Sequence, residues 1–165
     1  MDKSTFFSIM GAFPTGVTVV TTIDAQGQPL GLTSNAFTSV SADPPLLLVS
    51  VDKRSSTLPA LQTTRKFVVN FLKQDRGPIS DRFASKMTDK FDGVAWRPAA
   101  NGMPVLHDDV LAWAECSLAQ EVDSGDHILF IGSVENGEPP APGSQPLMYF
   151  RRTYASWPGP DGDSR

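Results

Sequence analysis

The sequence predicts a single, mainly β domain with a few short helices, built as an antiparallel barrel rather than a βαβ sheet. Three observations carry that expectation. Runs rich in β-branched and aromatic residues recur as short segments punctuated by Gly, Pro, Asn and Asp. The helical patterns stand isolated and do not alternate with the strands as crossover units would. No Gly-x-Gly-x-x-Gly turn follows a strand, so a parallel dinucleotide-binding sheet has no support.

The elements read as follows. Phe6, Ile9, Met10 and Phe13 fall at helical spacing behind Ser4 or Thr5 as a cap, with Pro14 and Gly16 ending the helix. Val17 to Ile23, Val-Thr-Val-Val-Thr-Thr-Ile, is a β-branched strand. Asp24 to Pro29, with Gly27, turns it into a second strand over Leu30 to Thr33. Leu46 to Val51 and Phe67 to Leu72 read as buried strands, and between them Ser55-Ser56-Thr57 before Leu58-Pro59 makes a helix start. Ile79 to Lys86 forms a short helix with Ile79 and Phe83 on one face. Ala99 to Asp109 is turn-rich, with Asn101-Gly102 and Pro104. Val110 to Val122 and Ile128 to Glu135 are strands around Asp123-Ser124-Gly125-Asp126, and Leu147 to Phe150 is a last short strand after the proline-rich 139–146 loop. Residues 1–156 make the domain. Residues 157–165, rich in Pro, Gly and Asp with little to bury, make a flexible tail.

Composition excludes several functions. The 165 residues are 40% hydrophobic and 19% charged, which fits one globular domain with a core. The formal net charge is −4 and there is no dense Lys/Arg stripe, so nucleic acid is not an expected partner. The apolar runs are too short for a membrane span, and no secretory signal pattern stands at the N-terminus. The lone Cys116 reads as a packing residue, and the chain is expected in the cytoplasm. His107 and His127 lack the close spacing of a metal site, so no metal is expected.

Four segments carry candidate chemistry. Gly31-Leu-Thr-Ser-Asn-Ala-Phe-Thr-Ser-Val-Ser41 is dense in hydroxyl and amide groups. It reads either as a Ser/Thr-rich turn capping its own backbone or as donors for the edge of a planar heterocycle. Ser50-Val-Asp-Lys-Arg-Ser-Ser-Thr57 stands at a helix entry, where unpaired N–H groups with Lys53 and Arg54 suit a phosphate, or merely cap the helix. Ser124-Gly-Asp-His127 is a hairpin turn that projects an imidazole, either toward a ligand or simply into solvent. Tyr149-Phe-Arg-Arg-Thr-Tyr154 sets aromatics beside two arginines, and Arg82-Phe83 and Lys90-Phe91 repeat that pairing of cation and ring.

In this order the segments resemble the flavin reductase-like family, the small reductase components of two-component flavin monooxygenases. The likeness runs from about Phe6 to Tyr154, through Phe13-Pro-Thr-Gly-Val17, the Gly31 to Pro45 segment, Arg82-Phe-Ala84 and Gly125-Asp-His127. It implies a split β-barrel of the FMN-binding, Greek-key type, usually a homodimer. It also implies hydride transfer from NADH (or NADPH) to free FAD (or FMN), with the reduced flavin supplied to a separate monooxygenase. By the resemblance Thr33, Ser34, Asn35 and Ala36 contact the isoalloxazine and ribityl region. Ser50, Ser55, Ser56 and Thr57 lie near the flavin phosphate, with Lys53 or Arg54 assisting. Arg82 belongs to the same set, Phe91 and Tyr154 flank the flavin or nicotinamide, and His127 in the Gly125-Asp126 turn positions the nicotinamide. The same barrel also serves non-catalytic flavin- or haem-binding proteins and oxidases of the pyridoxamine-phosphate type. Those remain the alternatives.

Overall fold

The β-branched run forms where expected, as strand β2 over Thr18–Ile23, and five of its six residues are buried. It is covered on both faces, which is why its pattern is continuously apolar or hydroxylic rather than alternating. In the computed structural model, which describes residues 1–157, it is flanked by β3 (Pro29–Ser34) and β6 (Lys66–Leu72). The turn from β2 to β3 is held by Asp24, whose carboxylate accepts from the N–H groups of Gln26 (2.9 Å) and Gln28 (2.8 Å). Strands β4 (Phe37–Ala42), β5 (Pro45–Asp52), β9 (Val110–Ser124) and β10 (His127–Glu138) complete an antiparallel sheet of seven, in the order β3-β2-β6-β9-β10-β5-β4.

Strands β3 and β4 lie at opposite ends of that order, yet only Asn35 and Ala36 separate them. The three Cα steps from Ser34 to Phe37 span at most ~11 Å, so the sheet must curl until its two edges meet at this corner. The ladder does not close across the seam, and the result is a split barrel. The interior holds Val20, Val49, Val51, Phe67, Val69, Cys116 and Phe130, with Phe37 set edge-on to Phe71 at 5.0 Å between ring centroids. Helix α2 (Leu58–Thr64) adds Leu58 and Leu61 to this core. Burial pushes the Cys116 thiol up to about 12, so it stays protonated and packs as a small apolar group.

A second core lies outside the barrel. Helix α3 (Gly77–Ala84) buries Phe83 against Val17, Val19, Leu72, Leu106 and Leu147. Gly31 on β3 is required here, because a Cβ would stand 2.8 Å from the Phe83 ring. A three-stranded sheet, β1 (Thr15–Gly16), β11 (Leu147–Phe150) and β12 (Thr153–Ser156), flanks this core, and the β7 (Arg97–Pro98) and β8 (Pro104–Val105) hairpin covers β2 and β6. Asn70, fully buried, clips that segment down. Its Nδ2 donates to Val19 O (3.1 Å) and Thr21 Oγ1 (2.9 Å), and its Oδ1 accepts from Leu106 N (2.9 Å).

Some expectations need correction. Helix α1 (Lys3–Met10) is capped by Asp2 rather than Ser4 or Thr5, and it ends at Gly11, before Pro14. None of its residues is buried: Phe6, Phe7, Ile9 and Met10 are about half exposed and Phe13 more so. The Gly31–Ser41 segment is two strand pieces, not a turn, and only its Asn35-Ala36 corner is irregular. Strand β12 has no counterpart in the sequence reading. Of the expected tail, residues 158–165 lie outside the described residues. No helix among those described is long and apolar enough to cross a membrane.

Candidate functional site

The site grows from strand alternation. Strand β5 turns Leu47, Val49 and Val51 inward, and β10 turns Ile128 and Phe130 inward, so their neighbours face out. The register pairs Asp52 with His127 and Ser50 with Leu129. Ser50, Asp52, His127 and Leu129 therefore share the outer wall, next to the Asn35-Ala36 corner.

Two lobes of one cleft meet on that wall. The first, about 590 Å³, is lined by Thr33, Ser34, Asp52, Arg54, Ser55, Ser56, Lys86 and Lys90, among others. The second, about 540 Å³, lies under α1 and is lined by Phe6, Phe7, Met10, Phe13, Asp126, Tyr149, Arg151 and Arg152, among others. Asn35, Ala36, Ser50 and His127 line both. The chain is net negative, yet the cleft gathers five cations (Arg54, Lys86, Lys90, Arg151, Arg152) against two carboxylates, Asp52 and Asp126. A concave site with that sign of charge concentrates anionic ligands.

Two of its cations, Arg54 and Lys90, are held in place by the fold. Asp52 accepts from Arg54 through Nε (3.1 Å) and Nη2 (2.7 Å) as well as from its backbone N–H (2.8 Å). These bonds hold the Asp52 carboxyl well below its ordinary value and raise Arg54 further. A carboxyl lowered in this way keeps its contribution above its ordinary value, 3.8, and loses it as pH falls through the folded value. The Arg54 Nε–H NMR signal is thus expected to hold steady from about pH 7 to about pH 4 and to change only in stronger acid. A change centred near pH 3.8, the ordinary carboxyl value, would show that the clamp does not form. Lys90 Nζ donates to Phe83 O (2.8 Å) and Gly31 O (3.3 Å), tying the loop after α3 to β3, and burial lowers its pKa.

His127 leaves the hairpin at Gly125, whose φ of +63° favours glycine. Its Nδ1 lies 2.7 Å from Asp126 Oδ1, which lowers the Asp126 pKa and fixes the ring, leaving Nε2 without a partner among the described residues.

The sequence-derived site residues divide into lining and support. Thr33, Ser34, Asn35, Ala36, Ser50, Arg54, Ser55, Ser56, Asp126 and His127 line the cleft. Three of the lining hydroxyls are also committed internally, Ser55 Oγ by accepting from Thr57 N at 3.3 Å. Thr33 Oγ1 donates to Ser80 O (2.6 Å), and Ser34 Oγ accepts from Ala36 N (3.1 Å), pinning the corner. Five predicted residues and the turn glycine Gly125 are not on the lining. Lys53 pairs with Asp123 at 2.8 Å, and buried Thr57 donates to Gly31 O at 3.1 Å. Arg82 donates to Asp92 O, and Phe91 stacks edge-on to Phe83 at 5.0 Å. The Tyr154 hydroxyl lies 2.9 Å from Ser80 Oγ and 2.7 Å from Asp81 Oδ1, bracing α3. The resemblance assigned no role to Asp52, Lys86, Lys90, Arg151, Arg152 or the α1 aromatics, which also line the cleft. The pairing of cations with aromatics in Lys90-Phe91 and Phe150-Arg151-Arg152 was the available signal.

The donor set suits a flat heterocycle carrying phosphate: hydroxyls and three cations in one lobe, aromatic and aliphatic walls in the other. Known proteins agree with the geometry. The flavin reductase like domain matches residues 10–158. The chain is 50% identical over 159 residues to "Flavin reductase (NADH)" of Kitasatospora aureofaciens, covering 96% of this chain and 83% of that one. It is 38% identical over 155 residues to the reductase subunit HsaB of a Mycobacterium tuberculosis flavin-dependent monooxygenase, covering 93% and 82%. It superposes with TM-score 0.89 and 32% identity on the Streptomyces globisporus NADH:FAD oxidoreductase in complex with NAD and FAD fragments, covering 98% of this chain and 96% of that one.

Proposed function

The chain belongs to the flavin reductase-like family, and from that premise we infer that it is an NAD(P)H-dependent flavin reductase working with a separate flavin-dependent monooxygenase. One observation carries the reading on this chain's own residues: two lobes of different chemistry meet at Asn35, Ala36, Ser50 and His127. A redox reaction between two nucleotides needs two binding spaces with one shared wall.

When both are bound, the reduced nicotinamide supplies a hydride and the flavin ring system accepts it. The protein's part is placement and electrostatics. Asn35 and the backbone of the Asn35-Ala36 corner offer hydrogen-bonding groups at the junction, where the ring edge gains charge. Arg54, Lys86, Lys90, Ser55 and Ser56 offer the first lobe to phosphate. His127, held by Asp126, sets the orientation of the nicotinamide. NADH and FAD are the preferred pair, in keeping with the names of the relatives above. Flavin exchanges readily, since very tight binding would slow its release to the monooxygenase. A homodimer is supported by the exposed Phe6, Phe7, Ile9, Met10 and Phe13, more apolar surface than one short helix leaves bare without a partner. The cytoplasm supplies the reduced nucleotides the reaction consumes.

Anaerobic oxidation of NADH and NADPH in the presence of FAD, FMN and riboflavin tests the reading. NADH with FAD is expected to give the highest kcat/KM. Absence of flavin-dependent oxidation with every pair would overturn it.

A further inference from the structure

The tip of the β11–β12 hairpin is not what the fold by itself asks for. Phe150 pairs with Thr153, leaving Arg151 and Arg152 as the two central residues, with φ of +49° and +64°. A two-residue turn with both φ positive favours Asn-Gly, because side chains with a Cβ are strained there. Two long cations occupy it instead. Backbone strain kept at the rim of a cleft points to a task for the side chains.

Their setting names the task. The tip is fastened to the end of α1, where Arg151 N donates to Gly11 O at 3.3 Å, and the Arg151 guanidinium stands 5.0 Å from the Phe150 ring centroid. Neither arginine has a carboxylate partner among the described residues, whereas Arg54 is held by Asp52 and Lys53 by Asp123. Arg151 and Arg152 line the second lobe and an adjoining recess with Ser4, Phe7 and Ser8. Among the described residues they are the only cations of that lobe, while the first lobe has Arg54, Lys86 and Lys90 of its own.

We propose that Arg151 and Arg152 form a phosphate-binding arm for the nicotinamide dinucleotide, distinct from the cations that serve the flavin. The assignment rests on the reductase reading for the identity of the ligand. Each nucleotide then brings its ring to the Asn35–His127 junction and its phosphates to the far end of its own lobe.

The double variant Arg151→Asn, Arg152→Gly tests this without endangering the fold, since both replacements suit positive φ. Its melting temperature is expected to equal or exceed that of the parent. Calorimetric titration of the full chain with NAD+, NADP+, ADP-ribose and FAD reads the arm directly. NAD+, NADP+ and ADP-ribose should each bind about tenfold more weakly to the variant, and FAD should stay within about twofold. A loss confined to NADP+ still supports the arm and assigns it to the 2′-phosphate. A loss shared equally by NAD+ and NADP+ assigns it to the diphosphate. Unchanged dinucleotide binding, or an equal loss for FAD, overturns the arm. An enzyme whose dinucleotide binding is unaffected but whose flavin reduction is intact removes the arm alone. A parent that binds dinucleotide through the tip but reduces no flavin keeps the arm and removes the reductase reading.

Discussion

Replacing His127 with alanine is expected to lower kcat/KM for the reduced nicotinamide nucleotide by about 10- to 100-fold, ~1.4–2.7 kcal/mol of transition-state stabilisation. Flavin affinity should change by no more than about twofold, because Arg54, Lys86, Lys90 and the Asn35-Ala36 corner are untouched. The size follows from the role. The ring is fastened on one side by Asp126 at 2.7 Å, and the residue lines both lobes where they meet. A group that sets the approach of one reactant to another acts through orientation, and small misplacements there are costly in rate. Asp126→Asn keeps a polar partner for the ring and should cost less than His127→Ala. Steady-state kinetics with each nucleotide varied in turn, together with flavin titration, checks both. A His127→Ala enzyme with unaltered kcat/KM, or with an equal loss of flavin binding, would remove the histidine from the nicotinamide side.

The second large effect is on stability. Asn70→Ala leaves the Leu106 N–H without a partner in the interior and takes a donor from Val19 O and Thr21 Oγ1. An unsatisfied buried group costs ~1–3 kcal/mol, and the small cavity and lost bonds bring the total to ~3 kcal/mol. For a domain of this size that lowers Tm by roughly 6–12 °C. Thermal unfolding followed by circular dichroism reads the shift. Ser39→Ala, on the exposed face of edge strand β4, is the control and should stay within about 0.5 kcal/mol. An Asn70→Ala protein as stable as that control would mean the clip contributes nothing.

Much of this was legible from local pattern. The Val17–Ile23 run, the Asp24–Pro29 turn, the helix starts at Leu58-Pro59 and near Ile79, and the long strands around the Gly125 turn all formed as read. Each is decided by propensity, turn chemistry or periodicity over a few residues. Strand β4 was not legible, because its Thr-Ser-Val-Ser composition resembles a turn and becomes a strand only when β5 supplies its ladder partners. The exposed α1 was legible as a helix but not as a roof. Nothing in its spacing tells whether an apolar face meets this chain's core or something else.

The candidate site splits the same way. The sequence by itself determined the ordered motifs, the Gly125-Asp126-His127 turn and the hydroxyl-rich segment, hence the family and the reaction. It did not separate hydroxyls that line the cleft from Thr57, which is buried on Gly31 O, or Lys53, which is neutralised by Asp123. Only the tertiary structure brought Arg54, Lys86, Lys90, Arg151 and Arg152 to one cleft on a net acidic chain. The reason is the curl of the sheet. A two-residue corner joins its opposite edges, and the register of β5 on β10 sets Asp52 beside His127. Those are long-range pairings, and no local periodicity in the chain encodes them.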